Sequence, residues 1–262
     1  MRTNKEWALV TGASQGIGYE FSKQLAALEY NLVMVSNQKE KGIQAAEALA
    51  KTYKIDARAL FIDLSENDAA EKVVSYCKDK DIKILINNAG VFTFKPFLNH
   101  SPSEIHLYIN LHLRTLTDLS YFFALQFKER GGGYIINMSS LAAHFSFPGI
   151  ALYEASKAYI LTLSKTLWYE FKDSGVNITA ICPGGANTSL YKLKSSMLLM
   201  GVKLGILISV EKLVKKSLKA MFKGKRTLTP GLINIICIPF IKALPTFIIL
   251  FIKRKLQKYE WR

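Results

Sequence analysis

The 262-residue sequence predicts a doubly wound α/β fold, on three observations. Short apolar segments alternate with helix-like segments through roughly the first 180 residues, which is the pattern of βα units around a parallel sheet. The short segments are apolar on both faces and mostly β-branched, as expected of strands covered by helices on both sides. A glycine-rich turn joins the first strand to the first helix. We therefore expect one domain.

Six strands and five helices are predicted in alternation. The predicted strands are Trp7–Thr11, Leu32–Ser36, Ala59–Ile62, Ile84–Ile86, Tyr134–Met138 and Asn177–Ile181. The predicted helices are Gly16–Leu28, Gln38–Thr52, Asn67–Lys78, Ser103–Lys128 and Leu152–Lys172. Low-complexity stretches and long linkers do not interrupt this order, so consecutive units should pack on one sheet.

Composition excludes several classes of protein. The three cysteines, Cys77, Cys182 and Cys237, lie far apart, which argues against a disulfide framework or a zinc knuckle and suits a reducing compartment. Three of the four histidines recur every six residues, a spacing that does not place them on one helical face, so we expect no metal site. The polar N-terminal segment does not resemble a secretory signal, and we expect a cytoplasmic protein.

The first predicted turn has the composition of a phosphate-binding loop. Its glycines, in the pattern G-x-x-x-G-x-G, allow a sharp turn and a close approach of the backbone to a pyrophosphate at the helix N-terminus. A strand precedes the turn and a helix follows it, which is the context of a Rossmann-type dinucleotide site. The cofactor-binding residues predicted in this turn are Gly12, Ser14, Gln15, Gly16, Ile17 and Gly18.

The end of the second strand bears on the choice of cofactor. An acid here would bind the ribose 2′-hydroxyl of NAD and repel a 2′-phosphate, but the chain has Ser36, Asn37 and Gln38. Lys39 and Lys41 follow within reach of a phosphate. NADP(H) is therefore favoured, and NAD(H) stays open because the usual neighbouring arginine is also missing. The alternative is that Ser36 and Asn37 only cap the next helix.

Tyr153 and Lys157 are the candidate acid–base pair. Their spacing of four residues places both on one face of a helix. A free phenol has a pKa near 10, and a neighbouring ammonium favours the phenolate, which makes the phenol an effective general acid or base near neutral pH.

Other motifs accompany this pair in a fixed order. Ser139 and Ser140 follow a predicted strand, with Ser140 thirteen residues before Tyr153; Asn87-Asn88-Ala89-Gly90 closes the fourth strand, and Pro183–Thr188 follows the sixth. Over about residues 5–190 the chain resembles the short-chain dehydrogenase/reductase family.

The resemblance implies a role for each matching residue. Tyr153 would exchange the proton with the substrate oxygen, Lys157 would lower the pKa of Tyr153 and bind the nicotinamide ribose, and Ser140 would hydrogen-bond the substrate oxygen. Asn110 would hold a proton-relay water. The other residues implied to bind the cofactor are Asp63 and the adjacent Leu64 near the adenine, Asn88, Ala89 and Gly90 along the cleft, and Pro183, Gly184 and Thr188 over the nicotinamide.

The implied activity is hydride transfer between a nicotinamide and the carbonyl or secondary alcohol of an apolar substrate. A hydroxysteroid or bile-acid-like ketone and a long-chain 3-oxo lipid are the candidate substrates, with reduction by NADPH favoured. The alternative is a non-catalytic NADP-binding sensor or scaffold on the same fold. Such a protein would not need to keep Asn110, Ser140, Tyr153 and Lys157 together.

The C-terminal segment differs from the rest in charge and composition. We divide the chain into a dinucleotide-binding and catalytic core, 1–190, and a substrate lid with an apolar, basic extension of the same domain, 191–262. Of the net charge of +15, residues 190–262 carry +14, from 16 Lys or Arg and two acids. Residues 189–208 have the apolar, methionine-containing composition of a lid over a hydrophobic substrate.

The apolar segment 228–252 has two interpretations. Its three prolines and Lys242 argue against a transmembrane helix, while the basic residues on either side predict a peripheral contact with an anionic membrane surface. The alternative is a contact in a homodimer or homotetramer. Nucleic acid is not expected as a partner, because aromatic and basic residues do not interleave on a polar face.

Overall fold

The computed structural model describes residues 6–184, 208–231, 234–236, 238, 239, 243 and 245–260, and has a seven-stranded, all-parallel sheet at its centre. The strand order is β3-β2-β1-β4-β5-β6-β7. The strands are β1 (Trp7–Thr11), β2 (Asn31–Ser36), β3 (Ala57–Phe61), β4 (Ile82–Asn87), β5 (Gly133–Met138), β6 (Val176–Ile181) and β7 (Thr227–Leu228). The Rossmann-type doubly wound fold is confirmed.

Helices cover both faces of the sheet. They are α1 (Gly16–Ala27), α2 (Lys39–Tyr53), α3 (Ala69–Tyr76), α4 (Pro102–Tyr108), α5 (Thr115–Glu129), α6 (Ala151–Glu170), α7 (Val210–Phe222) and α8 (Thr246–Glu260). A π-helical segment, Ile109–Arg114, joins α4 to α5, and a short 3₁₀ turn, Leu141–His144, precedes α6. Every strand predicted from the sequence is present, and so are four of the five predicted helices, with bounds shifted by a few residues.

The one long helix predicted at Ser103–Lys128 is two helices joined by the π segment. Its start is fixed locally, because the Ser101 hydroxyl accepts the Glu104 N–H and the Glu104 carboxylate accepts the Ser101 N–H. Pro102 occupies the first turn, where it removes no helical hydrogen bond. The π turn inserts a residue into the helix, and π turns occur often at functional sites.

The side chains of β1 alternate between two cores, one on each face of the sheet. Ala8 and Val10 pack with α1, α2 and α7, whereas Leu9 packs with α3 and α5. All three side chains are fully buried. The strand therefore buries both of its faces, as its uninterrupted apolar sequence predicts.

Part of the predicted extension belongs to the sheet. Residues Thr227–Leu228 pair in parallel with Ala180–Ile181 of β6, and Leu213 and Met221 of α7 are buried in the core beside α1. Neither α7 nor β7 was predicted. The predicted lid, 189–208, and the division at residue 190 fall almost entirely within 185–207, outside the described residues, so both stay predictions.

Candidate active site

After β1 the chain continues to β2 on one side, and after β4 it continues to β5 on the other side. This change of direction opens a crevice at the carboxyl ends of β1 and β4. Thr11 joins the two loops there: its hydroxyl donates to Ile86 O at 3.2 Å and accepts the N–H groups of Asn88 and Ala89. The Asn88 amide donates back to Thr11 O at 3.0 Å. These four bonds hold the glycine turn and the 88–91 loop as the two walls of one cleft.

The glycine turn cannot accept side chains at two of its positions. Gly12 has a φ of +65°, and a Cβ on it would lie 3.0 Å from Ala89 Cα. A Cβ on Gly18 would lie 2.1 Å from Gly12 O, so α1 packs directly against the turn. Within the described residues, the side chain of Gln15 at the N-cap of α1 makes no capping bond. The turn and the amides of the first helical turn thus fit a pyrophosphate.

The end of β2 presents polar, uncharged groups to the cleft. The Ser36 hydroxyl donates to Ser14 Oγ at 2.9 Å and accepts the Gln38 N–H at 3.0 Å. The N-cap residue of α2 is Gln38, so the alternative that Ser36 or Asn37 serves as the helix cap is wrong. Ser36, Asn37 and Gln38 all line the cleft.

The candidate acid–base pair lies on α6, at the opposite end of the cleft from β2. Tyr153 is 9% exposed, and the ring of Phe92 packs edge-on against it with centroids 5.0 Å apart. Lys157 Nζ lies 5.6 Å from the centre of the Tyr153 ring and donates to Met138 O at 3.0 Å. The i, i+4 spacing on a helix therefore places the two side chains together, as predicted.

Burial lowers the pKa of the Lys157 ammonium from 10.5 to about 8, and nearby Cys182 opposes the shift slightly. A buried cation with a strongly perturbed pKa beside a cleft is typical of a functional site, because a purely structural core avoids the cost of burying the charge. At neutral pH the side chain is still mostly protonated.

The two candidate serines have different partners. The Ser139 hydroxyl donates to Lys157 O at 2.7 Å and so ties β5 to α6. The Ser140 hydroxyl accepts the Ala142 N–H at 3.1 Å, which leaves its own hydrogen available to donate. Both serines line the cleft.

One cleft of about 720 Å³ collects nearly all of the predicted site residues. Those that line it are Gly12, Ser14, Gln15, Gly16, Ile17, Ser36, Asn37, Asp63, Leu64, Asn88, Ala89, Gly90, Ser140, Tyr153, Lys157, Pro183 and Gly184. Gly18 packs beneath the turn instead, and Thr188 lies outside the described residues. Lining residues that were not assigned to the site are Gln38, Ile62, Val91, Phe92, Leu107, Leu111, Met138 and Ser139.

The structure does not bring Asn110 into this cluster. Its side chain donates to Ser65 O at 2.9 Å, in the loop after β3. Two residues further along, His112 is fully buried, and its ring centre lies 6.3 Å from that of Tyr153. Sequence spacing could not locate this face, because the π segment changes the helical phase between 109 and 114. The signal available was a histidine in an otherwise apolar stretch.

Family comparison agrees with this geometry. Residues 6–198 match the short chain dehydrogenase family. The fold is a doubly wound sheet of the Rossmann type, and the chain belongs to the short-chain dehydrogenase family. The resemblance stated from sequence motifs is confirmed.

Curated relatives carry names from lipid and steroid chemistry. The chain is 28% identical over 197 residues to very-long-chain 3-oxoacyl-CoA reductase-A of Danio rerio, covering 74% of this chain and 62% of the relative. It is 30% identical over 227 residues to 17-beta-hydroxysteroid dehydrogenase type 3 of Mus musculus, covering 86% and 72%. Inactive hydroxysteroid dehydrogenase-like protein 1 of Homo sapiens is 31% identical over 187 residues, covering 70% and 57%. The chain thus spans less than two-thirds of the length of several relatives.

Among solved structures, a short-chain dehydrogenase from Sphingobium yanoikuyae in complex with NADPH superposes with a TM-score of 0.78 at 26% identity. The match covers 98% of this chain and 96% of that chain. Nearly the whole of both chains therefore shares one architecture.

Proposed function

We propose that this protein is an NAD(P)-dependent oxidoreductase that transfers a hydride between a nicotinamide and the carbonyl or secondary alcohol of an apolar substrate. The observation that carries the proposal is the burial of Tyr153 beside Lys157 in a cleft that also contains Ser140 and the glycine turn. A tyrosine–lysine pair with only a structural role would not need to line a cleft large enough for a dinucleotide.

The residues divide the chemistry between them. A bound nicotinamide supplies or takes the hydride. In the direction of reduction, the Tyr153 hydroxyl gives its proton to the substrate oxygen, and the Lys157 ammonium stabilises the negative charge that this leaves on the phenol. The Ser140 hydroxyl donates a hydrogen bond to the same oxygen, since it uses only an acceptor position toward Ala142.

We propose NADPH as the preferred cofactor. The cleft beside β2 is lined by Ser36, Asn37 and Gln38, so a 2′-phosphate there would meet hydrogen-bonding groups and not a carboxylate. Lys39 and Lys41 on the first turn of α2 add positive charge close by. Both features favour the doubly charged phosphate over a hydroxyl.

The substrate class we propose is a hydroxysteroid or bile-acid-like ketone, or a long-chain 3-oxo lipid. Apolar side chains line the cleft near Tyr153, with Phe92 in edge contact with the phenol ring and Val91, Leu107 and Leu111 beyond. The names of the relatives from Danio rerio and Mus musculus refer to substrates of these two kinds. An apolar carbonyl compound would bury its carbon skeleton against this wall.

Replacing Tyr153 by Phe tests the catalytic assignment. NADPH oxidation should be followed with androst-4-ene-3,17-dione and, separately, with 3-oxohexadecanoyl-CoA. We expect Tyr153→Phe to lower turnover by about 10²-fold or more, the contribution of a general acid, with NADPH affinity nearly unchanged. Tyr76→Phe, on the end of α3, is the matched control and should keep the activity of the parent protein.

The outcome also decides between an enzyme and a sensor. A relative whose name calls it inactive makes a non-catalytic protein the competing proposal. If the parent protein binds NADPH but turns over neither ketone, the sensor is favoured. If Tyr153→Phe keeps more than about a tenth of the parent activity, the general-acid assignment fails.

We further propose that the protein forms a homodimer through the outer faces of α5 and α6. Tyr121 and Leu125 of α5 are exposed there, beside Tyr159 of α6, whose hydroxyl is hydrogen-bonded to Thr117 at 2.9 Å. Adjacent exposed aromatic and aliphatic groups on two packed helices form a contact surface that a second copy can cover. Sedimentation equilibrium of the parent protein and of Leu125→Glu would test this interface.

A peripheral contact with an anionic membrane is proposed for the C-terminal segment. Phe247, Leu250 and Phe251 of α8 are exposed, and Lys253 and Arg254 follow on the same helix. Across the helices that the structure describes, none is long and apolar enough to cross a membrane. The combination of exposed apolar and basic side chains fits a helix lying at the surface.

A further inference from the structure

His112 is a buried polar side chain beside the candidate acid–base pair, and the function above leaves it without a role. It lies in the π segment with none of its surface exposed, between Tyr108 at 5.2 Å and Tyr153 at 6.3 Å between ring centres. Most fully buried imidazoles have a partner for each ring nitrogen, since an unpaired buried nitrogen costs free energy.

Hydrogen bonds at both ends determine which nitrogen carries the proton. The Val91 N–H donates to His112 Nε2 at 2.9 Å, so Nε2 is an acceptor and the ring proton is on Nδ1. Nδ1 lies 2.8 Å from Ser156 Oγ, and the single hydrogen of that hydroxyl is directed to Tyr153 O at 2.8 Å. Ser156 Oγ therefore accepts the hydrogen bond from His112 Nδ1. The hydrogen bonds at Nε2 and at Nδ1 thus require the same neutral tautomer of His112.

These bonds form one continuous path from the cofactor side of the cleft to the catalytic helix. It runs from the Val91 N–H through His112 and Ser156 to the backbone carbonyl of Tyr153. Val91 follows Gly90 in the loop that lines the cleft, and Tyr153 lies in the first turn of α6.

The imidazole also packs tightly against the cofactor loop next to Lys157. A Cβ on Gly90 would lie 2.9 Å from His112 Nε2 and 3.5 Å from Lys157 Nζ, so Gly90 fits between the two side chains. A change in the position of the ring would therefore move the loop, the ammonium or both. Burial and the Lys157 charge hold the pKa of His112 well below its usual value, so the ring stays neutral beside the ammonium.

We propose that His112 is a positioning residue that sets the spacing between the 88–91 loop and Tyr153, and so between a bound nicotinamide and the proton donor. This inference rests on the proposed oxidoreductase function. It makes the imidazole a spacer with two separable links, one to Val91 and one, through Ser156, to Tyr153.

Three substitutions of His112 separate the links. His112→Phe keeps an aromatic ring and removes both bonds. In His112→Gln the new amide oxygen can reach Val91 in place of Nε2, and in His112→Asn the new amide nitrogen can donate to Ser156 in place of Nδ1. Turnover of androst-4-ene-3,17-dione, its KM, and NADPH affinity by fluorescence titration are measured for each variant. We expect His112→Phe to lower kcat by about tenfold or more with KM within about threefold, since small misplacements of reacting groups cost rate more than binding.

The two amide variants should show opposite defects. His112→Gln should keep NADPH affinity and lose kcat, whereas His112→Asn should weaken NADPH binding and keep more of kcat. A purely structural residue would lower the melting temperature of all three variants without this split. If the two amide variants behave alike in both measurements, the assignment of two separate links is overturned.

Ser156→Ala provides a second test that leaves the imidazole in place. Its expected effect is a lower kcat with unchanged NADPH affinity, together with a displaced midpoint in the ultraviolet titration of the Tyr153 phenol, identified by subtracting the Tyr153→Phe spectrum. Neither NADPH binding nor the phenol titration needs turnover, so these readouts still test the inference if the ketones are not substrates. Folded His112→Phe and Ser156→Ala proteins with parental kcat, NADPH affinity and phenol titration would refute it.

Discussion

At the scale of single residues, burial of the charged Lys157 side chain beside the cleft lowers the stability of the folded protein. The ammonium is buried and keeps a hydrogen bond to Met138 O. Its lowered pKa means that the folded chain holds this proton less tightly than the unfolded chain does. The stability of the protein is therefore linked to pH through one side chain.

Comparison with Lys157→Met should reveal this linkage. Between about pH 8 and the unfolded value of 10.5 the unfolded chain binds the extra proton, so the unfolding free energy of the parent protein should rise with pH relative to the variant. The full rise is about 3 kcal/mol, at about 1.4 kcal/mol for each pKa unit. Urea unfolding of the cofactor-free proteins across this window measures it. Lys223→Met, at an exposed position, should show no such difference, and a parallel pair of curves for Lys157→Met would contradict the prediction.

Cofactor choice is a second property of individual side chains. Asn37 is exposed at the end of the cleft beside β2, so its charge can be changed without disturbing the core. Asn37→Asp should weaken NADPH binding by about tenfold or more relative to NADH, because a carboxylate repels the 2′-phosphate. Asn37→Arg should shift the ratio the other way. Fluorescence titration with both cofactors gives the ratio, and a parent protein that prefers NADH would reverse the proposal.

At the scale of elements, a buried polar network fixes two helices to the middle of the sheet. The side-chain oxygen Oδ1 of Asn137 on β5 accepts hydrogen bonds from the Asn87 side chain of β4 at 2.9 Å and from the Ser120 hydroxyl of α5 at 3.4 Å. Its amide donates to Ser164 of α6 at 3.0 Å. The helices that flank the catalytic residues are thus held in register by bonds that cannot exchange with water.

Shortening the Asn137 side chain at the centre of this network should destabilise the protein. Asn137→Ala leaves the Asn87 amide with one of its two acceptors, Ser120 Oγ, and removes the acceptor of the Ser120 hydroxyl. It also opens a small cavity in the core, so we expect a loss of about 2–4 kcal/mol of unfolding free energy. Chemical denaturation gives the value. Asn99→Ala, at an exposed site, should change it by less than about 0.5 kcal/mol. A similar small change for Asn137→Ala would mean that the network contributes little.

At the scale of the whole molecule, most of the net positive charge and the candidate active site lie in different parts of the chain. The segment 190–262 carries +14 of the total +15, whereas the part that contains the cleft is nearly neutral. Phe247 of α8, 70% exposed, lies on the same segment as the basic residues. Near an anionic surface each engaged Lys or Arg contributes about 1 kcal/mol, so a few such residues suffice for reversible binding.

The protein should cosediment with phosphatidylserine-containing vesicles, and high salt should weaken this binding. Replacing Lys253, Arg254 and Lys255 by Gln should reduce it and leave the turnover of a ketone intact. The matched control replaces Lys212, Lys215 and Lys216 of α7 by Gln, which removes the same charge from another helix. Absence of vesicle binding at low salt, with a dimer or tetramer that Leu125→Glu does not dissociate, would assign the apolar segment to a subunit contact.

Local sequence was sufficient for the alternation of strands and helices and for most of the site. The strand β1 buries both faces, which an uninterrupted apolar segment reveals, and the turn at Gly12 and Gly18 has steric requirements that only glycine meets. Tyr153 and Lys157 could be paired because the regular geometry of a helix places residues four apart on one face.

Only the tertiary structure decided the rest, because those features depend on contacts between distant segments. The π segment rotates the helix so that His112, and not Asn110, reaches the acid–base pair. The two-residue strand β7 exists through its pairing with β6, since two residues have no pattern of their own. Periodicity specifies which residues share a face within a regular element, but a change of helical phase and a pairing between segments far apart in the chain are set by packing.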